Sequence, residues 1–185
     1  MKDNRTIENF AVMPMSDPSS KPASPQASKC ASRPRVRGPL GLNVHPVEGV
    51  AVELPADHTL VLKVMPRPAD ANLNGDIFGG WVMSWVDMAG SVLPARHAQG
   101  RMATVAVNQF VFKQPVRVGD ILSFLAKVER IGRTSITVNV GVFAERIERQ
   151  GHYIKVTEAT LTYVAIDDNG RPRPVPNREI LPPGV

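Results

Sequence analysis

Gly80, Ser84, Asp87 and Ser91 recur at steps of four, three and four inside a run whose other residues are almost all apolar: Trp81, Val82, Met83, Trp85, Val86, Met88, Ala89, Val92 and Leu93. If the run is helical, that spacing lines the four up on one narrow stripe. Asp87 is the member that could do chemistry, because a carboxylate among apolar side chains is costly unless it is paired or used. It could take a proton from water as a general base, attack an electrophile directly, or be satisfied by hydroxyls such as those of Ser84 and Ser91. Gly79 and Gly80 open the same run. The first N–H groups of a helix have no partner within it and lie at the positive end of its dipole. Two residues without side chains there let a carbonyl oxygen come close, as in an oxyanion hole; the plain alternative is a turn that packs tightly. No Ser or Cys nucleophile beside a His is evident.

The element that must carry these groups runs from Asn74 to Gly100, a polar Gly-bearing loop followed by about five turns of helix. A helix apolar nearly all round is a buried one. With fewer than ~20 unbroken apolar residues it does not span a membrane. Pro94 predicts a kink or an early end, and Gly100 a stop. Ahead of the helix, His58 to Met65 alternates as a first strand closed by Pro66 and Pro68. After it, strands are predicted over 102–113, 120–131, 134–146 and 153–166. Gly132-Arg133 reads as a tight two-residue hairpin and Asp167-Asp168-Asn169-Gly170 as the last turn. Short links between consecutive strands mean an antiparallel sheet. The expected fold is α+β, a curved antiparallel sheet of about five strands wrapped around one long central helix. Sheet edges and an uncovered apolar flank call for a second subunit, so a dimer or a multiple of one is expected.

The 185 residues hold one domain comfortably. Residues 1–55 contain eight of the 17 prolines and six serines without sustained periodicity, and are expected to be a disordered extension. Residues 56–170 would form the domain, and 171–185 a Pro-rich tail that cannot join a central strand. A net charge of +5 and a pI near 9.7 raise nucleic acid as a partner. Residues 56–185, however, carry 15 Lys/Arg against 12 Asp/Glu, with no basic run between aromatics. The excess fits anionic ligands instead. Cys30 is the single cysteine, so neither an intrachain disulfide nor a cysteine metal site can form. His45, His58, His97 and His152 lack ligand spacing, and no metal is expected. With no signal-peptide core or transmembrane run, the cytoplasm is the expected compartment.

Gly75-Asp76-Ile77-Phe78-Gly79-Gly80-Trp81, followed by Met83-Ser84 and Asp87, resembles the acyl-CoA thioesterases of the hot-dog superfamily, in particular the bacterial YciA-type hydrolases. The similarity continues through Thr104-Val105-Ala106-Val107, Pro115-Val116, Val118-Gly119-Asp120, Gly132-Arg133-Thr134-Ser135, Tyr163-Val164-Ala165 and Asn169-Gly170-Arg171. It spans about residues 58–176. Members often carry an acid where Asn108 stands and Lys where Gln114 stands. The resemblance implies a hot-dog fold, obligate dimers often built into hexamers as trimers of dimers, and hydrolysis of acyl-CoA to free acid and CoA without a further cofactor. It implies Asp87 as base and the Gly79 and Gly80 amides as oxyanion hole. Asp76 becomes a residue that orients water or substrate, where the residues by themselves equally allow a helix cap. Asn74, Lys113, Arg133, Thr134, Ser135 and Arg171 become candidate substrate or CoA contacts. Of these, Arg133 to Ser135 form a hairpin tip that could hold phosphate or be a solvated turn.

A thioester suits this equipment, because a thiol of pKa about 8.5 leaves without a strong acid. Gly80 and Asp87 lie roughly 10 Å apart along one helix, so Asp87 of one subunit is expected to face the Gly79-Gly80 end of another. The reading from another class is a hot-dog module that binds acyl-CoA without hydrolysing it, as a regulator. Hot-dog dehydratases fit poorly: they use a His with an acid, and His97 lies near the far end of the helix.

Overall fold

Branched apolar side chains at every second position favour extended backbone and give each strand one buried face. The computed structural model describes residues 49–180 except 148, residues 182–183, and two short strands nearer the N-terminus. Those two, β1 (Val36–Arg37) and β2 (Asn43–Val44), pair antiparallel with Val36 opposite Val44, in a unit of their own. The rest of the extension expected over 1–55 lies outside the described residues as far as 48. Gly49 to Pro55 instead belong to the second unit, where the Val52 N–H donates to the Tyr153 carbonyl at 2.8 Å.

The second unit contains β3 (Thr59–Val64), α1 (Gly79–Ala98), β4 (Met102–Phe112), β5 (Ile121–Ile131), β6 (Ser135–Glu145) and β7 (Tyr153–Ala165). The five strands pair antiparallel in the order β3-β5-β6-β7-β4, which leaves β3 and β4 as edges. Each predicted strand falls within one residue of these bounds. Val82, Val86, Ala89 and Leu93 of α1 share a core with Phe124, Val138, Val140, Leu161 and Tyr163 of the sheet. Burial of each such side chain contributes about 1.5–3 kcal/mol, which fixes the helix on the sheet. Gly90 weakens the helix by propensity, but a Cβ there would stand 2.5 Å from the Tyr163 hydroxyl. The glycine is what lets Tyr163 reach the helix.

Three expectations are corrected. The helix is not buried all round by its own sheet: Gly80, Met83, Ser84, Asp87 and Met88 are exposed on the side facing away. Pro94 neither ends nor shortens it; the proline is buried inside a helix that continues to Ala98, and the stop is Gln99, left-handed at φ 48°, rather than Gly100. The hairpin tip is Arg133-Thr134 rather than Gly132-Arg133, because the Gly132 N–H donates to the Ser135 carbonyl at 2.7 Å and Ile131 pairs with Ile136. Gly132 does not use a left-handed φ; a Cβ there would lie 2.9 Å from Ser135 Oγ.

The described residues of the Pro-rich stretch after residue 170 join no central strand, yet they are anchored. The Arg173 and Val175 N–H groups donate to the Ala165 and Arg133 carbonyls, both at 2.8 Å, and Val175 is buried. Arg173 also donates from Nη2 to the Ala98 carbonyl at 2.8 Å, closing the C-terminal end of α1.

Candidate active site

The N-terminus of α1 is set by an Asx turn and a sheet anchor. Asn72 Oδ1 accepts the Asn74 and Asp76 N–H groups at 2.8 and 3.2 Å, and Gly75 completes the turn at φ 85°. The Ile77 N–H then donates to the Val116 carbonyl at 2.8 Å, which ties the helix start to the turn ahead of β5. The N-cap is Phe78, without a side-chain cap, so Asp76 does not cap the helix. Trp81 and Val82 donate to the Phe78 carbonyl, while the Gly79 and Gly80 N–H groups find no acceptor among the described residues. These are the unpaired donors that a helix N-terminus offers to a developing negative charge.

A cleft of about 370 Å³ opens here, lined by Asp76, Gly79, Val82, Phe112, Lys113 and Val116 among others. It brings together Asp76, Gly79 and Lys113 of the predicted set, with Gly80 next in the chain and Asn74 exposed in the adjoining loop. The Asp76 carboxylate has no hydrogen-bond partner among the described residues. Lys113 Nζ is engaged: it donates to Glu158 Oε2 at 2.6 Å, and Lys155 holds the other oxygen at 3.0 Å. Those two lysines, Lys113 first, keep the Glu158 carboxyl below its ordinary range.

Asp87 does not line that cleft. It stands on the open side of α1, exposed in the protomer rather than buried as its apolar neighbours implied. Ser84 and Ser91 do not satisfy it; each hydroxyl donates back to its own helix, to the Trp81 and Met88 carbonyls at 2.7 Å. The partners are Thr104 Oγ1, donating to Asp87 Oδ1 at 2.8 Å, and the Tyr163 hydroxyl, at 2.9 Å from the Asp87 carbonyl and 3.3 Å from Oδ1. Thr104 and Tyr163 are a cross-strand pair of β4 and β7, so sheet register delivers both to one carboxylate. Burial first, then the Asp87 charge and hydrogen bond, push the Tyr163 hydroxyl far above its ordinary pKa and hold it as a neutral donor. Both residues fall within the stretches that carry the resemblance, but their types and spacing there mark no role for either. Gly90 inside an apolar helix was the available signal of a close approach.

Arg133, Thr134, Ser135 and Arg171 lie at the other end of the domain. Their hairpin and turn meet the C-terminal half of the molecule, with Thr134 accepting from the Ala165 N–H at 2.9 Å and Arg171 closing a turn on Asp167 Oδ1 at 2.8 Å. A helix of α1's length separates the two ends by about 30 Å. Within one protomer these four do not meet the cleft.

The turn that anchors the helix start is itself held by a buried ion pair. Arg146 donates to Asp120 Oδ2 and, at 3.0 Å, to the Pro115 carbonyl, and the Arg117 N–H donates to Asp120 at 2.8 Å. Burial pushes the Asp120 carboxyl upward, against the pull of the Arg117 N–H and the Arg146 guanidinium. No cluster of His, Cys, Asp and Glu suited to a metal occurs among the described residues. No helix among them is long and apolar enough to cross a membrane.

One long helix laid across a five-stranded antiparallel sheet, with its N-terminus opening on a cleft, is the hot-dog architecture. Residues 74–149 match the family described as the Thioesterase superfamily. The acyl-CoA thioester hydrolase YciA of Salmonella typhimurium is 44% identical over 119 residues, which cover 63% of this chain and 90% of the relative. A hexameric thioesterase from Yersinia pestis is 44% identical with a TM-score of 0.63, over 67% of this chain and 99% of its own. An acyl-CoA hydrolase from Staphylococcus aureus, solved with butyryl-CoA, CoA and CoA disulfide, is 28% identical with a TM-score of 0.59, over 67% of this chain and 73% of its own. The chain belongs to the hot-dog thioesterase superfamily, among the acyl-CoA thioester hydrolases of the YciA type.

Proposed function

We propose that the protein hydrolyses acyl-CoA to a free acid and CoA at a site shared between two subunits. The observation that carries the reading is the pairing of Gly79 and Gly80 N–H groups, which have no acceptor among the described residues, at the mouth of the cleft with a carboxylate, Asp87, on the open side of the same helix. A twofold contact through that side sets each Asp87 against the Gly79-Gly80 end of its neighbour, since the contact is the same patch on both subunits. Exposed apolar side chains on the edge strand and helix, among them Val105, Val107, Met83 and Met88, suit burial in such a contact. Relatives of this chain are hexamers, and a trimer of dimers is the assembly proposed.

The Gly79 and Gly80 amides receive the thioester carbonyl oxygen and stabilise its charge as a tetrahedral adduct forms. Asp87, oriented by Thr104 and Tyr163, takes a proton from the attacking water. Collapse of the adduct breaks the C–S bond, and the proton held by Asp87 passes to the CoA sulfur. Asp76, free at the cleft, orients water or substrate, and Asn74 and Lys113 bind the CoA arm near it. Arg133, Thr134, Ser135 and Arg171 serve phosphates of CoA bound at a neighbouring subunit's cleft. No further cofactor takes part, and the reducing cytoplasm is the proposed compartment, in keeping with a single cysteine.

The test is turnover of a panel of acyl-CoAs followed by a thiol reagent, with Asp87→Ala and Asp87→Asn alongside wild type. Loss of turnover in both variants with folding intact is expected. Wild-type turnover in either removes Asp87 from the mechanism, and saturable CoA binding without thiol release from any substrate favours a binding module instead.

A further inference from the structure

The walls of the cleft differ in how firmly they are held. Ile77, Val82 and Val116 are 6%, 1% and 4% exposed and make a packed floor. Phe112, the last residue of the edge strand β4, is 50% exposed. Its ring lies over the start of the helix: a Cβ built on Gly79 would stand 3.0 Å from Phe112 Cζ. Phe110 braces it, with ring centroids 4.9 Å apart. The ring therefore stands beside an N–H donor that nothing among the described residues uses. A carbonyl held on that donor has the ring as a neighbour in the same cleft.

We propose that Phe112 determines specificity for the acyl group, admitting methylene groups next to the carbonyl carbon and excluding a branch there. The inference rests on the thioesterase reading above. A donor at the helix start fixes where the carbonyl sits, the packed floor cannot yield, and the ring of Phe112 is the one adjustable wall among those four. An apolar pocket discriminates a single methyl or methylene group by about 10- to 200-fold. A branch that meets the ring should fall in that range, and removal of the ring should abolish most of it.

The experiment measures kcat/KM of the full-length protein for butyryl-CoA and isobutyryl-CoA, in wild type, Phe112→Ala and Phe112→Leu. Wild type is expected to favour the straight chain by at least about tenfold, with the preference nearly lost in Phe112→Ala and intermediate in Phe112→Leu. Because the ring is half exposed, the substitutions spare the core, and Phe112→Leu retains an apolar plug should the alanine variant prove unstable. Turnover of both substrates in the same ratio by all three proteins overturns the assignment to Phe112 and leaves the thioesterase reading standing. Absence of thiol release from either substrate by wild type overturns both.

Discussion

Asp87 and Gly80 are separated by roughly 10 Å along one rigid helix, so a shared site predicts that two inactive variants repair each other. Asp87→Asn keeps the side-chain shape but removes the base, at a cost of about 10²–10⁴ in turnover. Gly80→Val blocks the amides instead. A Cβ at Gly80 meets nothing within 4 Å in the protomer, so the fold accepts the change while the branched side chain fills the space in front of the donors. A twofold dimer has two sites, each drawing Asp87 from one subunit and Gly80 from the other. In a mixed dimer one site collects both defects and its mate collects neither. Random pairing makes half the dimers mixed, so equal co-expression of the variants recovers roughly one quarter of wild-type turnover. A site built within one protomer puts a single defect in every site of the mixed dimer and recovers nothing. The assay is thiol release from an acyl-CoA per mole of purified protein, with each variant prepared separately as the baseline. Turnover of the co-expressed protein no higher than the mean of the two baselines refutes the shared site.

Removing a donor to Asp87 tests its orientation. Tyr163→Phe and Thr104→Val each delete a hydrogen bond to a charged acceptor, worth about 1.5–3 kcal/mol, and steady-state kinetics should show kcat falling about tenfold or more with KM little changed. The ion pair beneath the helix start is a stability device: Arg146→Met takes from Asp120, 3% exposed, the guanidinium that donates to it and should cost about 3–5 kcal/mol in urea unfolding. Arg146→Met with Asp120→Leu should recover part of that loss. Glu158 is held below its ordinary value of 4.5 by Lys113 and Lys155, so its contribution is present above that pH and is lost as pH falls through the lower folded value. The melting temperature of Glu158→Gln should therefore lie below wild type at neutral pH, with the gap closing as pH is taken below 4.5.

The strands and the helix were legible because their signals are local. Alternation in Ile136 to Val142 and the Asp167 to Gly170 turn need no knowledge of what packs above them. The N-terminal glycines were legible for the same reason, since unpaired first-turn N–H groups belong to any helix. What covers each side of a helix is not local. An apolar ring of residues from Trp81 to Leu93 reads the same whether a helix is enclosed by its own sheet or half by a neighbour, and so the sequence alone points to a buried Asp87 where the protomer exposes it. Its partners were hidden by register: Thr104 and Tyr163 are 59 residues apart and meet because β4 pairs with β7. The hairpin tip moved by one residue because Gly132 serves a close approach to Ser135 rather than a left-handed turn.

The exposure of Asp87 separates stability from chemistry. One side of α1 carries Val82, Val86, Ala89 and Leu93 into the core and requires no charge there. The other side keeps the Asp87 carboxylate exposed, where it costs the folding protomer little, in contrast to the penalty for burying it unpaired. Docking of a second subunit on that side would cover Met83 and Met88, 42% and 47% exposed, and exclude water around Asp87 at the same time. The hydrogen bonds that Thr104 and Tyr163 donate to Asp87, and those proposed from the neighbour's Gly79 and Gly80 amides to the thioester oxygen, would all strengthen as the surroundings lose water. If apolar contact between subunits offsets the cost of drying a charge, the site would be completed in the step that assembles the oligomer, and a protomer on its own is predicted to fold yet not turn over.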